Sequence, residues 1–258
     1  MSINIREAQP THVIESSWLE EYEQGMNLLW LQELVLLNSN LYILEKLLDF
    51  PFDLFVMPDR RTFFRLVQIN LFRSCIIIVW KLVEDPDPSA LTLLRFKNEV
   101  RRHIRPQYAS SFDAALKETK FDKQIEQLLE PIRTLRNKRI AHLDKGFNLP
   151  PEQIKELRVS LSDLMVLRDT LNQLFEVLCF GCQRSVLPIE YNPEVRHPPG
   201  VDARSDIEKF LDNVVKDSPL LNMPENEPDR WPYFREGLPT DALQVLNEYR
   251  RKFGLPEV

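Results

Sequence analysis

The chain has 258 residues, a length that fits one large domain or one domain with an appendage. Hydrophobic residues make up 43% and charged residues 28% of it, which is enough apolar material for a core and excludes a globally disordered chain. Its 6 glycines argue against a dinucleotide-binding fold or a phosphate-binding glycine loop, and its net charge of −6 argues against a nonspecific nucleic-acid coat protein.

Apolar periodicity starts at Ser16, after a polar tail of 15 residues. Apolar side chains then recur at three- and four-residue steps, which predicts an amphipathic helix. The residues on this stripe are Leu28, Leu31, Leu34, Val35, Leu41, Leu44 and Leu48. From Arg61 to about Glu84 the chain is apolar on nearly all sides, which predicts the central and most buried helix of a bundle.

Further helices are predicted at about 90–104, 110–119 and 122–143, followed by a long one at about 151–181. The apolar residues of the long helix follow a near-heptad rhythm, which indicates core packing, with a dimer seam as the alternative. Ten of the 19 prolines lie in the last 73 residues. Two short amphipathic helices are predicted there, near 203–216 and 240–253.

These elements predict an all-α fold, an antiparallel bundle of four to five long helices with a proline-rich, partly helical C-terminal extension. The predicted divisions are a loose N-terminal tail at 1–15, the bundle at 16–185 and an acidic extension at 186–258.

Cysteine usage and hydropathy indicate the cellular compartment of the protein. Three cysteines form no disulfide framework, which is typical of a reducing compartment. The N-terminus has no apolar signal region, and the longest unbroken apolar run, from Cys75 to Trp80, is too short to span a bilayer. We therefore expect a soluble cytoplasmic protein with no membrane partner.

The sequence contains no pattern typical of a metal-binding or redox site. The four histidines stand apart from one another and from the cysteines, so no zinc site is predicted. The pair Cys179 and Cys182 is a lone CxxC at a helix end, which favours packing over a redox or zinc role. The prediction is therefore no metal and no cofactor.

The basic residues concentrate in one stretch. Residues 95–145 carry 13 Lys and Arg against 7 Asp and Glu, although the whole chain is acidic. Within it, Arg136 precedes His142 with five residues between them, and Asn137 follows the arginine directly. The bare spacing is weak, because Arg6 and His12 in the N-terminal tail repeat it.

A straight helix does not bring this pair together, since at 100° per residue Arg136 lies about 120° from His142. Either the arginine side chain reaches round, or the helix end deforms, or two copies meet across a two-fold interface. The alternative without a site is a solvated basic helix terminus, which the helix dipole favours in any case.

The residues of this run resemble the Arg-polar-…-His signature of HEPN domains, which are all-α modules of prokaryotic toxin–antitoxin and anti-phage systems. The resemblance is carried by Arg136-Asn137-Lys138-Arg139-Ile140-Ala141-His142. The run is most similar to the abortive-infection, AbiU-type branch, where an Asp-Pro turn and a helix lie upstream. Leu82 to Pro86 and Thr92-Leu93 correspond to that feature, and the resemblance covers roughly residues 15–185.

The resemblance implies an often dimeric bundle in which the motif of each subunit lines a shared cleft. Active members are metal-independent endoribonucleases. His142 would then be the general base or acid at the ribose 2′-hydroxyl, Arg136 would brace the scissile phosphate, and Asn137 would orient one of these groups or bind the sugar-phosphate. The implied product is a 2′,3′-cyclic phosphate end.

Two groups of cations are candidates for binding the RNA backbone, and an ordinary solvated helix face is the alternative for the second group. They are Lys138 and Arg139 within the motif with Arg133 just before it, and Arg101, Arg102 and Arg105 further upstream. The expected partners are an RNA substrate, a second copy of the chain and an antitoxin or regulatory protein.

Two other functions remain open at the level of sequence. The same domain could be a non-catalytic module that binds RNA, a nucleotide or a protein. It could also be a structural or antitoxin-like partner whose C-terminal extension wraps another protein.

Overall fold

The computed structural model describes residues 5–136 apart from 86 and 88, residues 159–181, 184 and 186, and residues 205–258. In these parts the chain is helical and forms no β-sheet; Ile14 and Ile104 make an isolated antiparallel bridge. The predicted all-α class is therefore confirmed.

Within each described stretch the helices follow one another with short connections, and a π-helical segment at Leu28–Leu34 joins the second to the third. They are α1 (Pro10–Val13), α2 (Leu19–Asn27), α3 (Val35–Asp49), α4 (Phe52–Phe55), α5 (Arg61–Val83), α6 (Leu93–His103), α7 (Pro106–Glu118), α8 (Phe121–Leu135), α9 (Leu161–Leu178), α10 (Asp206–Lys216), α11 (Pro219–Asn226), α12 (Trp231–Glu236) and α13 (Thr240–Lys252).

The chain divides into two compact units, and each is discontinuous in sequence. The first unit comprises Met1–Tyr42 and Asn70–Asn192, and the second comprises Ile43–Ile69 and Pro193–Val258. Composition carries no signal for the grouping of residues 43–69 with the C-terminal residues. The predicted boundaries at residues 15 and 185 stay predictions.

In the first unit, α9 packs against α6, α7 and α8. It begins with a capping box, in which the Asp163 N–H donates to Ser160 Oγ at 3.1 Å and the Ser160 N–H donates to the Asp163 carboxylate at 2.8 Å. A single helix through 151–181 is therefore wrong, because the cap starts a new helix at Leu161; residues 151–158 lie outside the described residues.

The near-heptad stripe of α9 belongs to the core of the first unit. Of the stripe leucines in this helix, Leu161 is partly buried, and Leu164, Leu171, Leu174 and Leu178 have no exposed surface. Leu167, which the stripe did not include, is also fully buried. Since these side chains are covered within one chain, the core interpretation is correct for this face and the dimer seam is not.

The π-helical segment changes which side chains of the predicted apolar stripe at residues 28–48 are buried. Leu28, Leu31 and Leu48 were expected to face the core and are about half exposed, at 45%, 56% and 50%. Leu29, which the stripe did not include, is buried, and the stripe residues Leu34, Val35, Leu41 and Leu44 are buried as predicted. Hydrogen bonds from i to i+5 widen the turn, so a stripe extrapolated at α-helical spacing leaves the core side at this segment.

Helix α5 is not buried along its whole length. From Cys75 to Val83 most of its side chains are in the core, but Phe63 and Leu66 in its first half are 63% and 54% exposed. The prediction of a central, most buried helix is wrong for that half. An apolar run carries no periodicity that tells which of its turns a neighbour will cover.

The same helix is the one in the described part that is long and apolar enough to cross a membrane by length and composition. A single such helix is weak evidence for a membrane span, because core helices satisfy the same criterion.

The second unit contains α4 and the C-terminal helices, with α11 packed against α4, α10 and α13. The rings of Phe50 and Phe55 lie edge-on to Tyr249, with centroids 6.5 and 4.9 Å away. The predicted C-terminal helices correspond to α10 and α13, whereas α11 and α12 were not predicted, since each has a proline within its span.

A buried ion pair stabilises the second unit. The Arg250 side chain has no exposed surface, and its guanidinium donates to the Pro256 carbonyl at 2.6 Å and to the Leu221 carbonyl. It also binds both carboxylate oxygens of Glu225. This hydrogen bonding lowers the pKa of Glu225.

Candidate functional site

The turn that follows α5 is fixed by side chains on both sides of it. The Arg95 guanidinium, from α6, donates to the carbonyls of Asp85 and Ala90 at 2.8 Å each and to the carbonyl of Asp87. The Asp87 carboxylate accepts from the Ser89 hydroxyl at 2.7 Å and from its N–H at 2.8 Å, and these bonds lower the pKa of Asp87. The backbone carbonyls of Asp85, Asp87 and Ala90 are therefore all held by one side chain of α6.

Glu84 stands between this turn and α5, and it binds the end of α8. Its carboxylate accepts from Arg133 Nη2 at 2.7 Å and from Arg133 Nε at 3.0 Å. The hydrogen bond with Glu84 raises the pKa of Arg133, which also donates to Glu130 at 2.6 Å. A carboxylate at a helix C-terminus is disfavoured by the dipole, so the pairing with Arg133 offsets an unfavourable placement.

Arg136, the arginine of the motif, lies over an indole ring. Its Cζ is 5.2 Å from the ring centroid of Trp80, a distance at which a cation and an aromatic face attract each other. Trp80 is 7% exposed, and its indole N–H has no acceptor among the described residues. Arg136 is the C-cap of α8, where its N–H bonds to the Ile132 and Arg133 carbonyls.

These contacts join one end of α8 to one end of α5. Arg133 and Arg136 are three residues apart and share a face of α8, while Trp80 and Glu84 are four residues apart. The Glu84 N–H donates to the Trp80 carbonyl at 2.8 Å, which continues the helical turn of α5 by one residue. Two side chains of one helix end thus hold two arginines of the other.

The remaining residues of the predicted motif, Asn137, Lys138, Arg139 and His142, lie outside the described residues. Their predicted roles, and the way in which Arg136 and His142 meet, stay predictions. Of the predicted residues in and beside the motif, the structure describes Arg133 and Arg136, which lie one helical turn apart at the end of α8.

The second predicted group of RNA-binding cations already has protein partners. Arg101 pairs with Asp113 at 3.0 Å and Arg102 with Glu99 at 2.5 Å, both on the surface. Exposed pairs of this kind contribute little stability and exchange easily, so a phosphate could replace the carboxylates. Arg105 differs, since its guanidinium donates to the Ile14 and Thr11 carbonyls and thereby secures the N-terminal segment.

The described residues contain no group of three or more His, Cys, Asp or Glu side chains that could hold a metal ion. His103 is occupied by Glu15 at 3.2 Å and by stacking on Trp18. Cys75 and Cys179 are buried, and burial raises the pKa of the Cys75 thiol to about 12. The predictions of no metal and no cofactor stay predictions.

Trp80 and Glu84 were not among the predicted site residues. Trp80 is hidden in a run that is apolar on all sides, where an aromatic residue has no distinguishing pattern. Glu84 does carry a signal, because it lies between the largely apolar helix α5 and the Asp-Pro turn.

The fold and the arginine pair at the end of α8 fit a HEPN-type helical domain. A family model described as AbiU2 (HEPN_AbiU2) matches residues 53–193, which is more than half of the chain. The chain therefore belongs to this abortive-infection family of HEPN domains, and the resemblance stated from its sequence is confirmed. No curated protein and no solved structure matches the chain.

Proposed function

We propose that the protein is a metal-independent endoribonuclease, a toxin or anti-phage effector that cleaves RNA by attack of a ribose 2′-hydroxyl. The observation that carries this proposal is membership of the AbiU2 family together with a complete Arg-polar-…-His run at 136–142. The placement of Arg136 at a fixed helix end gives further support, since phosphate recognition requires a positioned cation.

In the proposed reaction His142 removes the proton of the 2′-hydroxyl, and the 2′-oxygen attacks the adjacent phosphorus. The bond from phosphorus to the 5′-oxygen then breaks, and this oxygen takes up a proton to leave as a hydroxyl. The products are a 2′,3′-cyclic phosphate and a 5′-hydroxyl end. Arg136 binds two phosphate oxygens with its planar guanidinium, and Asn137 orients the sugar-phosphate.

A ribonuclease assay in the presence of EDTA tests this mechanism. Wild-type protein, Arg136→Ala and His142→Ala are compared on a mixture of single-stranded and structured RNA, and the 3′ ends of the fragments are analysed for cyclic phosphate. The expected result is cleavage by the wild type and a loss of at least about 100-fold in each variant. Equal cleavage by all three proteins, or none by any, would refute the assignment.

The N-terminal tail offers a matched control for the histidine. His12 follows Arg6 at the same spacing at which His142 follows Arg136, and it is exposed. His12→Ala should therefore cleave RNA like the wild type. A loss in this variant as large as that in His142→Ala would show that the assay does not report on the motif.

The proposed effector acts in the cytoplasm, as a dimer, and is restrained by an antitoxin or regulatory protein. Growth arrest on expression that His142→Ala relieves would support the toxin role. Sedimentation of the purified protein gives its oligomeric state, and a monomer at the concentration at which it cleaves RNA would contradict the dimer.

A non-catalytic module that binds RNA, a nucleotide or a protein is the second candidate. It is favoured by the exposed ion pairs of Arg101 and Arg102, which exchange easily, so that RNA phosphates can bind there without any contribution from the Arg-polar-…-His run. RNA binding without cleavage by the wild type in the same assay would favour this candidate over the nuclease.

A further inference from the structure

We propose that Trp80 and Glu84 are positioning residues for Arg136: they set the register of the α8 end against the α5 end and so hold the guanidinium where the phosphate is to be bound. This inference rests on the proposed nuclease function. It assigns a role to two residues about fifty positions before the Arg-polar-…-His run, Trp80 in α5 and Glu84 directly after that helix.

The apolar face of α8, which includes the fully buried Ile132, packs in the core of the first unit. The two arginine contacts add direct links from the end of α8 to the end of α5. Glu84 holds Arg133 through two donors of the guanidinium, at 2.7 and 3.0 Å, and Trp80 holds Arg136 one turn further along α8. Since both arginines come from one face of α8, the two contacts fix its rotation and its height together.

The two anchors differ in charge, and this difference suits their tasks. Glu84 neutralises Arg133, so that contact is a structural link. The Trp80 ring brings no negative charge to Arg136 and attracts the cation through its face alone. A carboxylate at the position of Trp80 would compete with the phosphate for the same N–H donors.

Glu84 itself is held in place from the other side. Arg95 fixes the carbonyls of the turn that begins at Asp85, so the backbone next to Glu84 cannot drift. The sequence of contacts runs from α6 to the turn, from the turn to Glu84, and from Glu84 to α8. In this arrangement the Asp-Pro turn acts as a support for the motif rather than as a connection only.

The test compares two carboxylates that bind the same arginine. Glu84 and Glu130 both accept from Arg133, but Glu130 lies on α8 itself and cannot position that helix against α5. Both side chains are partly exposed, at 40% and 66%, so neither substitution threatens folding. Glu84→Gln should lower kcat about 3- to 10-fold with little change in KM, whereas Glu130→Gln should leave both unchanged.

The aromatic anchor is tested by a graded pair of substitutions. Trp80→Leu removes the ring and should lower kcat about 2- to 30-fold, and Trp80→Phe, which keeps a ring face, should recover part of that loss. Circular dichroism melts show whether each variant is folded at the assay temperature. If Trp80→Leu does not fold, the comparison of Glu84→Gln with Glu130→Gln tests the positioning role.

Arg136→Ala separates the two proposals. If it cleaves like the wild type, the nuclease assignment fails and the positioning role fails with it. If Arg136→Ala is inactive while Glu84→Gln equals Glu130→Gln and folded Trp80 variants keep the wild-type kcat, the nuclease assignment stands and the positioning role is refuted. A fall in stability without a fall in kcat also refutes it, since that is the signature of a purely structural contact.

Discussion

Replacement of the buried Arg250 by alanine should destabilise the second unit strongly. The substitution leaves the Leu221 and Pro256 carbonyls and the Glu225 carboxylate without their donor. Breaking a buried ion pair costs about 3–5 kcal/mol, and each unsatisfied buried acceptor costs about 1–3 kcal/mol. Because the Glu225 side chain is 43% exposed, water recovers part of this, and we expect a loss of about 3 kcal/mol.

The neighbouring arginine provides the control. Arg251 is 67% exposed and pairs with Glu257 on the surface, so Arg251→Ala should cost less than about 1 kcal/mol. Hydrogen exchange of peptides from α11 and α13, followed by mass spectrometry, measures the local free energy of opening. The expected loss corresponds to about 100-fold faster exchange in Arg250→Ala. If the two alanine variants exchange at the same rate, the buried ion pair does not stabilise this unit.

Three further predictions concern pH, packing and thiol chemistry. The hydrogen bond with Arg250 holds the folded pKa of Glu225 below its unfolded value of 4.5. The contribution of Glu225 to the free energy of unfolding is therefore present above the unfolded pKa and is lost as the pH falls through the folded pKa. Urea titrations from pH 6 to 3 that show no such fall would contradict this. Gly25→Ala places a Cβ 2.5 Å from a carbon of the Phe96 ring and should cost about 1–3 kcal/mol, visible as a lowered Tm; an unchanged Tm would refute the close approach. Cys75, with a pKa of about 12, should react with iodoacetamide at pH 8 far more slowly in the folded than in the urea-unfolded protein, and equal rates would contradict its burial.

Much of the helical architecture could be predicted from local signals. The C-terminal helices α10 and α13 were found because their apolar residues repeat at helical spacing. The exposed first half of α5 could not be predicted, because its burial depends on which distant element covers each turn. The π-helical segment at Leu28–Leu34 has no sequence signature, yet within it Leu29 and Leu34 are buried while Leu28 and Leu31 are about half exposed.

The candidate site could likewise be predicted only in part from the sequence. Arg136 could be named from the motif, since a cation followed by a polar residue and a histidine is a local pattern. Its contact with Trp80 joins residues that are 56 positions apart, and no spacing rule connects them. The ion pairs that Arg101 and Arg102 form with carboxylates could not be predicted from the sequence either, because the presence of a cation does not reveal whether a carboxylate already binds it.

The discontinuity of the second unit affects how this family member can be dissected. The matched region, 53–193, starts within α4 and so takes in part of the second unit while leaving out all of its C-terminal helices. A fragment cut to those limits, or a chain ended at residue 192, would present the Phe55 ring to water without Tyr249 beside it. Family limits and folding limits therefore do not coincide, and a loss of activity in such a fragment would report on a broken unit rather than on the function of the missing residues.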